Sequence, residues 1–162
     1  MKRGIWIAWV ALLGAAACSD DYVAGNYNAQ LTNRSDGCSL GLTSGQNASA
    51  NFTVTQSGSD VTFEVKDLAG LFLAAQVGSA TLTGGVDGDD ISVGRNGTIK
   101  STVGGCEYTI NAEIKASQDG DSMKGRVEYR AATNGNADCG SRKGCLTVQD
   151  FNATRPPPSS SQ

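Results

Sequence analysis

The chain has 162 residues, no histidine and a formal net charge of −3. Its length is that of one domain. Without histidine, Ser-His and Cys-His nucleophile pairs and most zinc sites are excluded; without a basic excess, so is a nucleic-acid partner, whose binding rests on clustered Lys and Arg.

The first predicted element is a leader. Lys2 and Arg3 precede an uncharged, mostly apolar run from Ile5 to Ala17, ending in Gly14-Ala15-Ala16-Ala17-Cys18. A basic start, an apolar stretch and small residues before a cleavage point predict a secretory signal over residues 1–17. The run is short of the roughly 20 apolar residues that a spanning helix needs. With Cys18 directly after the small residues, the leader resembles that of a bacterial lipoprotein precursor. The resemblance implies that Cys18 carries lipid and becomes the mature N-terminus, so that the chain's first partner is a membrane. It also implies that Ser19 directs sorting to the outer membrane if the cell is Gram-negative. Ala15-Ala16-Ala17 equally satisfies the ordinary small-x-small cleavage rule. Cysteine parity distinguishes the two readings. Ordinary cleavage leaves five cysteines in an oxidising compartment, whereas lipidation of Cys18 leaves Cys38, Cys106, Cys139 and Cys145, an even set. Loss of the leader removes two of the 13 basic residues and none of the 16 acidic ones, for a mature net charge of −5. Such a charge favours solubility.

Ser19 to Ala24 reads as a polar tether that reaches at most ~20 Å. Period-two alternation then dominates. Tyr27, Ala29 and Leu31 share one face, and Asn26, Asn28, Gln30 and Thr32 the other. Phe52 and Val54, then Val61, Phe63 and Val65, alternate with polar residues across a turn at Gln56-Ser57-Gly58-Ser59, which predicts a hairpin. Leu68 to Ala75 is nearly all apolar and predicts either a buried strand or one turn of helix plugging an open end. Ala80 and Leu82, then Ile91 and Val93, resume the alternation around a Gly/Asp turn. Asn96-Gly97 predicts a tight turn, with extended chain from Thr98 to Thr102. No segment reads as an amphipathic helix.

The strongest strand is Cys106 to Ala116, with Cys106, Tyr108, Ile110, Ala112 and Ile114 on one face. It is predicted to pair with Asp121–Ala132 through a four-residue turn, Ser117-Gln118-Asp119-Gly120. That register sets Glu113 opposite Lys124 and Glu107 opposite Arg130 and avoids like charges face to face. Leu146 and Val148 open a last strand whose inward phase switches near Asp150, since Phe151 has the opposite parity; a bulge there is expected. Arg155-Pro156-Pro157-Pro158 and the Ser tail, residues 156–162, read as disordered.

Short alternating runs between tight turns predict an all-β domain over residues 25–155. A small antiparallel up-and-down β-barrel is expected, because closure removes exposed edges and consecutive runs are joined by short turns. A β-sandwich is the rival. Gly25-Asn26-Tyr27 resembles the Gly-x-Trp entry of lipocalin-like barrels. The segment from Asp138 to Pro156 (Asp-Cys…Gly-Cys…Gln-x-Phe…Arg-Pro) resembles the end of small bacterial lipoproteins, and this second likeness implies no activity.

Chemistry has few candidates. Glu107, Glu113 and Glu128 could pair for glycosidase-type work, but alternation places them on an outward charged face. Asp87-Gly88-Asp89-Asp90 and Asp119-Gly120-Asp121 lack the distal Glu of a calcium loop and read as turn chemistry. Ser141-Arg142-Lys143 reads as solvated loop. Asn-x-Ser/Thr occurs at Asn33, Asn47, Asn51, Asn96 and Asn152, as a composition rich in turn formers and strand-surface residues produces. No metal site or cofactor is expected. Cys38, Cys106, Cys139 and Cys145 are expected to form two disulfides. Cys139–Cys145 with Cys38–Cys106 is favoured, and Cys38–Cys145 with Cys106–Cys139 stays open.

Two functions fit. One is a non-catalytic, membrane-tethered envelope lipoprotein that acts as a structural or interaction module. The alternative is a binding protein for a small apolar ligand inside the barrel. Small barrels either fill their interior with side chains or hold one ligand, so a dry cavity of ~300 Å³ or more would favour binding. An inhibitor that presents the loop between Cys139 and Cys145, or a carboxylate-dependent hydrolase, is more distant.

Overall fold

The computed structural model describes residues 22–157. The leader, Cys18 and most of the C-terminal tail lie outside the described residues. The elements run β1 (Gly25–Asp36), β2 (Asn47–Ser57), β3 (Asp60–Val65), α1 (Asp67–Val77), β4 (Thr81–Asp87), β5 (Asp90–Arg95), β6 (Ser101–Val103), β7 (Cys106–Asp119), β8 (Ser122–Thr133) and β9 (Leu146–Thr154). Strand neighbours follow chain order, β9 returns to pair with β1, and β5 pairs with β7. The result is a closed, all-antiparallel, eight-stranded up-and-down barrel. Closure excludes the sandwich. β6 is a short ninth strand that shares an edge of β7 with β5, pairing at Cys106–Tyr108 while β5 pairs at Ala112–Ser117.

The inward faces are those that alternation predicts for most strands. Tyr27, Ala29, Phe52, Val54, Val61, Phe63, Leu82, Ile91, Val93, Ile110, Ala112, Ile114, Val127 and Tyr129 are all buried. Phe52 is the hub of the aromatic core. It stacks on Tyr27 at 5.3 Å and on Phe63 at 5.2 Å, and meets Phe151 edge-on at 6.0 Å.

One end of the barrel is shut. The β2–β3, β4–β5 and β7–β8 turns lie there, with the start of β1 and the end of β9. Val23, Tyr27 and Met123 are fully buried in this end. Arg155 donates to the Tyr27 hydroxyl at 2.7 Å, and that hydroxyl donates to the Val23 carbonyl at 2.9 Å. Gly125 lets β8 pass close against β7 near this end. A Cβ there would collide with the Lys115 carbonyl and sit 2.8 Å from the Cα of Ala116, so the close approach of β7 and β8 depends on its absence.

The β7–β8 register differs from the predicted one. Asp119 pairs with Ser122, so the turn has two residues, Gly120-Asp121, rather than four. Gly120 has φ +58°, the value that a two-residue hairpin turn of the primed type demands at its first position and that glycine adopts at no steric cost. The β2–β3, β4–β5 and β6–β7 turns repeat the pattern with Gly58, Gly88 and Gly104. Turn geometry therefore overrides surface charge, and Glu113 stands directly opposite Glu128. The repulsion is relieved along each strand. Lys115 lies 3.2 Å from Glu113, and Arg130 lies 2.9 Å from Glu128 with Arg126 at 4.0 Å.

Three further expectations are corrected. Leu68–Ala75 belongs to a three-turn helix, α1, not a strand or a single turn. Its C-terminus closes at Gly78, whose N–H bonds to the Ala74 carbonyl at 2.8 Å. Asn96-Gly97 is not a hairpin turn. Residues 96–100 cross irregularly between β5 and β6, with Gly97 N–H held by the Asn111 side chain and Thr98 N–H by the Val77 carbonyl. β9 keeps one phase throughout: Thr147, Gln149, Phe151 and Ala153 all face inward. The bulge lies instead on β1, between Asn33 and Ser35, where Arg34 is the extra residue.

Candidate ligand-binding site

The other end of the barrel is a mouth. The 37–46 loop, α1, the 96–105 crossing and the 134–144 loop surround it. Two disulfides tie the 37–46 loop to the start of β9 and the 134–144 loop to the start of β7, and their pairing overturns the favoured one. Cys38 bonds to Cys145 and Cys106 to Cys139. The expected hairpin-like staple from Cys139 to Cys145 fails because that segment is a 3-10 turn over Ala137–Arg142. The turn presents Cys139 to the start of β7 and Cys145 to the end of β1. Arg142, expected as solvated surface, lies 4.3 Å over the Tyr108 ring and donates to the Cys38 carbonyl.

Under the mouth lies a cavity of about 510 Å³. Its walls are Ala29, Leu31, Ala50, Phe52 and Phe63 from β1 to β3, and Ile114, Val127 and Phe151 from the far side. α1 forms its roof through Ala69, Phe72 and Leu73, with Phe72 edge-on to Tyr129 at 6.0 Å. The entrance runs between the first turn of α1 and the start of β2, past Leu68, Gln46, Asn47 and Ser49. The small side chains of Ala29 and Ala50 leave the room that a larger residue would fill. A wider groove of about 750 Å³ runs along β4 and β5, but exposed polar and glycine positions such as Gly84, Asp87 and Ser92 line it, outside the barrel.

One polar cluster interrupts the apolar wall. Tyr129 donates from its hydroxyl to Gln149 Oε1 at 3.3 Å. Gln149 Nε2 donates to Asn33 Oδ1 at 2.7 Å, and Asn33 Nδ2 donates to the Thr43 carbonyl at 3.2 Å. All three side chains line the cavity and are buried. Burial pushes the Tyr129 phenol well above its ordinary value of 10.0, so it stays protonated and a donor. The cluster supplies amides and a phenol, no ionised group and no nucleophile. It can orient a bound molecule by hydrogen bonds.

The carboxylates considered from sequence do not gather in this cavity. Glu107 is exposed, Glu113 points outward, and Glu128 lies on the outer wall. The Glu128 side chain is only 11% exposed, because Arg126 and Arg130 cover it. It is therefore not the freely solvated group that alternation predicts. Asp87, Asp89, Asp90, Asp119 and Asp121 sit on the closed-end turns, and no cluster of three metal-ligating side chains occurs among the described residues. Of the five Asn-x-Ser/Thr positions, Asn33 faces the interior and Asn47, Asn51, Asn96 and Asn152 are exposed. Sequence reasoning missed Asn33 and Gln149. Their signal is parity: Asn33 continues Tyr27-Ala29-Leu31, and Gln149 shares the phase of Phe151 and Ala153.

No protein-family model matches the chain, and no curated protein matches it. A solved structure described as EF1p2_mFAP2b bound to DFHBI aligns over 82% of this chain and 93% of its own, with a TM-score of 0.41 and 11% identity.

Proposed function

We propose that this chain is a non-catalytic, lipid-anchored envelope protein whose barrel binds one small, largely apolar molecule. The observation that carries the binding half is the roofed cavity of about 510 Å³, which falls in the range of roughly 300–1,000 Å³ typical of small-molecule sites. An apolar wall with a few convergent polar groups is the usual make-up of such a site. A purely structural barrel would fill this volume with side chains. The envelope half rests on the leader and the cysteines. The two disulfides use four of the five cysteines, which suits an oxidising compartment and agrees with the parity argument for lipid on Cys18.

The test is a titration of the soluble domain, with Cys18 replaced by Ser, against the fluorescent apolar probe N-phenyl-1-naphthylamine. Saturable binding at one site per chain is expected, and Ala50→Phe, which fills the cavity from its wall, should weaken it at least ten-fold. Absence of saturable binding would return the protein to the structural or interaction reading. The outward Leu68 and Leu71 of α1, 81% and 68% exposed, are the surface that reading would use.

A further inference from the structure

We infer that the cavity selects uncharged amphiphiles: molecules with an apolar body and one neutral hydrogen-bonding group, which docks on Asn33, Gln149 and Tyr129. This rests on the reading that the barrel binds a ligand, and it adds the chemical class. The first argument is the absence of charge. Among the described residues, no Asp, Glu, Lys or Arg lines the cavity. A carboxylate or ammonium carried into it would lose its hydration with no counter-ion to replace it, a cost far larger than that of a neutral polar group. Fatty acids and alkylamines are therefore disfavoured in their ionised forms.

The second argument is the spare capacity of the polar cluster. Gln149 and Asn33 each use one amide N–H and one side of the carbonyl oxygen, and the Tyr129 oxygen uses only its proton. Each amide keeps a second N–H, and the oxygens keep lone pairs. The cluster is satisfied when no ligand is bound, so an empty cavity leaves no buried orphan. It can still both donate to and accept from an incoming group. A hydroxyl, carbonyl or amide fits that pairing, and all three are neutral. The cluster lies on β1, β8 and β9 beside the entrance, where the Asn33 N–H bonds to the Gln46 carbonyl at 2.9 Å, so a head group on the cluster stays near the mouth and the apolar body extends inward along Phe52, Phe63 and Phe151.

The experiment compares three probes of equal chain length, decanol, decanoate and decylamine, as competitors of N-phenyl-1-naphthylamine at neutral pH. Decanol is expected to bind at least ten-fold more tightly than either ion. Equal or tighter binding of decanoate or decylamine overturns the class and leaves the site standing. Failure of the reporter and of all three probes to bind overturns the underlying reading instead. Gain of function supplies the complementary arm. Gln149→Lys should raise decanoate affinity at least ten-fold relative to decanol. Should that variant not fold, Ser49→Lys at the exposed rim should shift the same ratio in the same direction by a smaller factor. No change in the ratio for a folded variant carrying the new charge also overturns the inference.

Discussion

Asp36 organises the loop that joins β1 to β2. Its carboxylate accepts from the backbone N–H groups of Leu40 at 2.7 Å, Gly41 at 2.8 Å and Leu42 at 3.0 Å, and from the Thr147 hydroxyl at 2.9 Å. Thr147 in turn accepts from the Cys38 N–H at 3.0 Å. Partial burial alone would raise the Asp36 pKa, but the hydrogen bonds from Leu40, Leu42, Thr147 and Gly41 outweigh it and hold the group below its ordinary 3.8. A depressed carboxylate pKa contributes stability that is present above the unfolded value and lost as pH falls through the folded one. Asp36→Asn should therefore cost about 1.5–3 kcal/mol at neutral pH, the range for hydrogen bonds to a charged group. The deficit relative to wild type should shrink as pH drops below 3.8. Urea melts of both proteins at a series of pH values would measure it; a deficit that persists undiminished in strong acid would assign the loss to something other than the carboxylate. The chain's polar interior is hard to read at this scale. Thr147 and Gln149 look like the outward members of a strand whose apolar partners are Leu146 and Val148, because hydropathy reports a side chain's average preference. It does not report that a Tyr, a Gln and an Asn can satisfy one another inside. Anchoring the phase on Phe151 and Ala153 instead recovers both residues.

At the scale of elements, the legible parts are those fixed locally. β1 to β3 follow from alternation, and turn residues locate the hairpins, but the two-residue length of the β7–β8 turn, which sets its register, does not follow from them. The parts that escape depend on partners distant in sequence. The apolar run of α1 has no period to separate helix from strand, so a helix over an open end stands in the sequence only as one of two readings. The disulfides make the same point. Proximity in sequence favours Cys139–Cys145, yet the chain closes the longer loops, 107 residues between Cys38 and Cys145 and 33 between Cys106 and Cys139. Both bridges tie the mouth, where short turns give way to loops. In the chain-entropy picture a bridge stabilises by restricting the unfolded chain, with a (3/2)RT ln n dependence on loop length n. The ratio of 107 to 33 gives a difference of about 1 kcal/mol in favour of Cys38–Cys145. The pair Cys38→Ser and Cys145→Ser should thus destabilise by about 1 kcal/mol more than Cys106→Ser and Cys139→Ser, within a typical cost of 2–5 kcal/mol for each. Equilibrium denaturation of the two double variants gives the comparison. Equal losses, or a larger loss for the shorter loop, would show that native-state contacts around Cys106 and Cys139 outweigh unfolded-chain entropy.

The whole molecule has a polarity that the closed barrel creates and the linear sequence conceals. The described chain begins and ends at the shut end. Val23 N–H bonds to Gln56 Oε1 at 2.8 Å, and Arg155 N–H to the Asp121 carbonyl at 2.8 Å. The mouth and its roof lie a strand length away, roughly 25 Å for a strand of about ten residues tilted in a small barrel. If Cys18 carries lipid, as the proposed function holds, a tether of only a few residues joins the bilayer to the shut end, since each residue reaches at most ~3.5 Å. The mouth then faces away from the membrane, and a ligand enters from the aqueous side. This orientation can be measured on the lipidated protein in vesicles that contain a nitroxide-labelled lipid. A fluorophore on Ser59→Cys, in the β2–β3 turn, should be quenched strongly, and one on Ser44→Cys, in the loop beside the mouth, weakly. Stronger quenching at residue 44 would turn the mouth toward the bilayer and make direct uptake from the membrane the better account. Weak quenching at both positions would mean that the barrel stands clear of the surface on a longer tether or is not anchored, which mass spectrometry of the N-terminal peptide would separate.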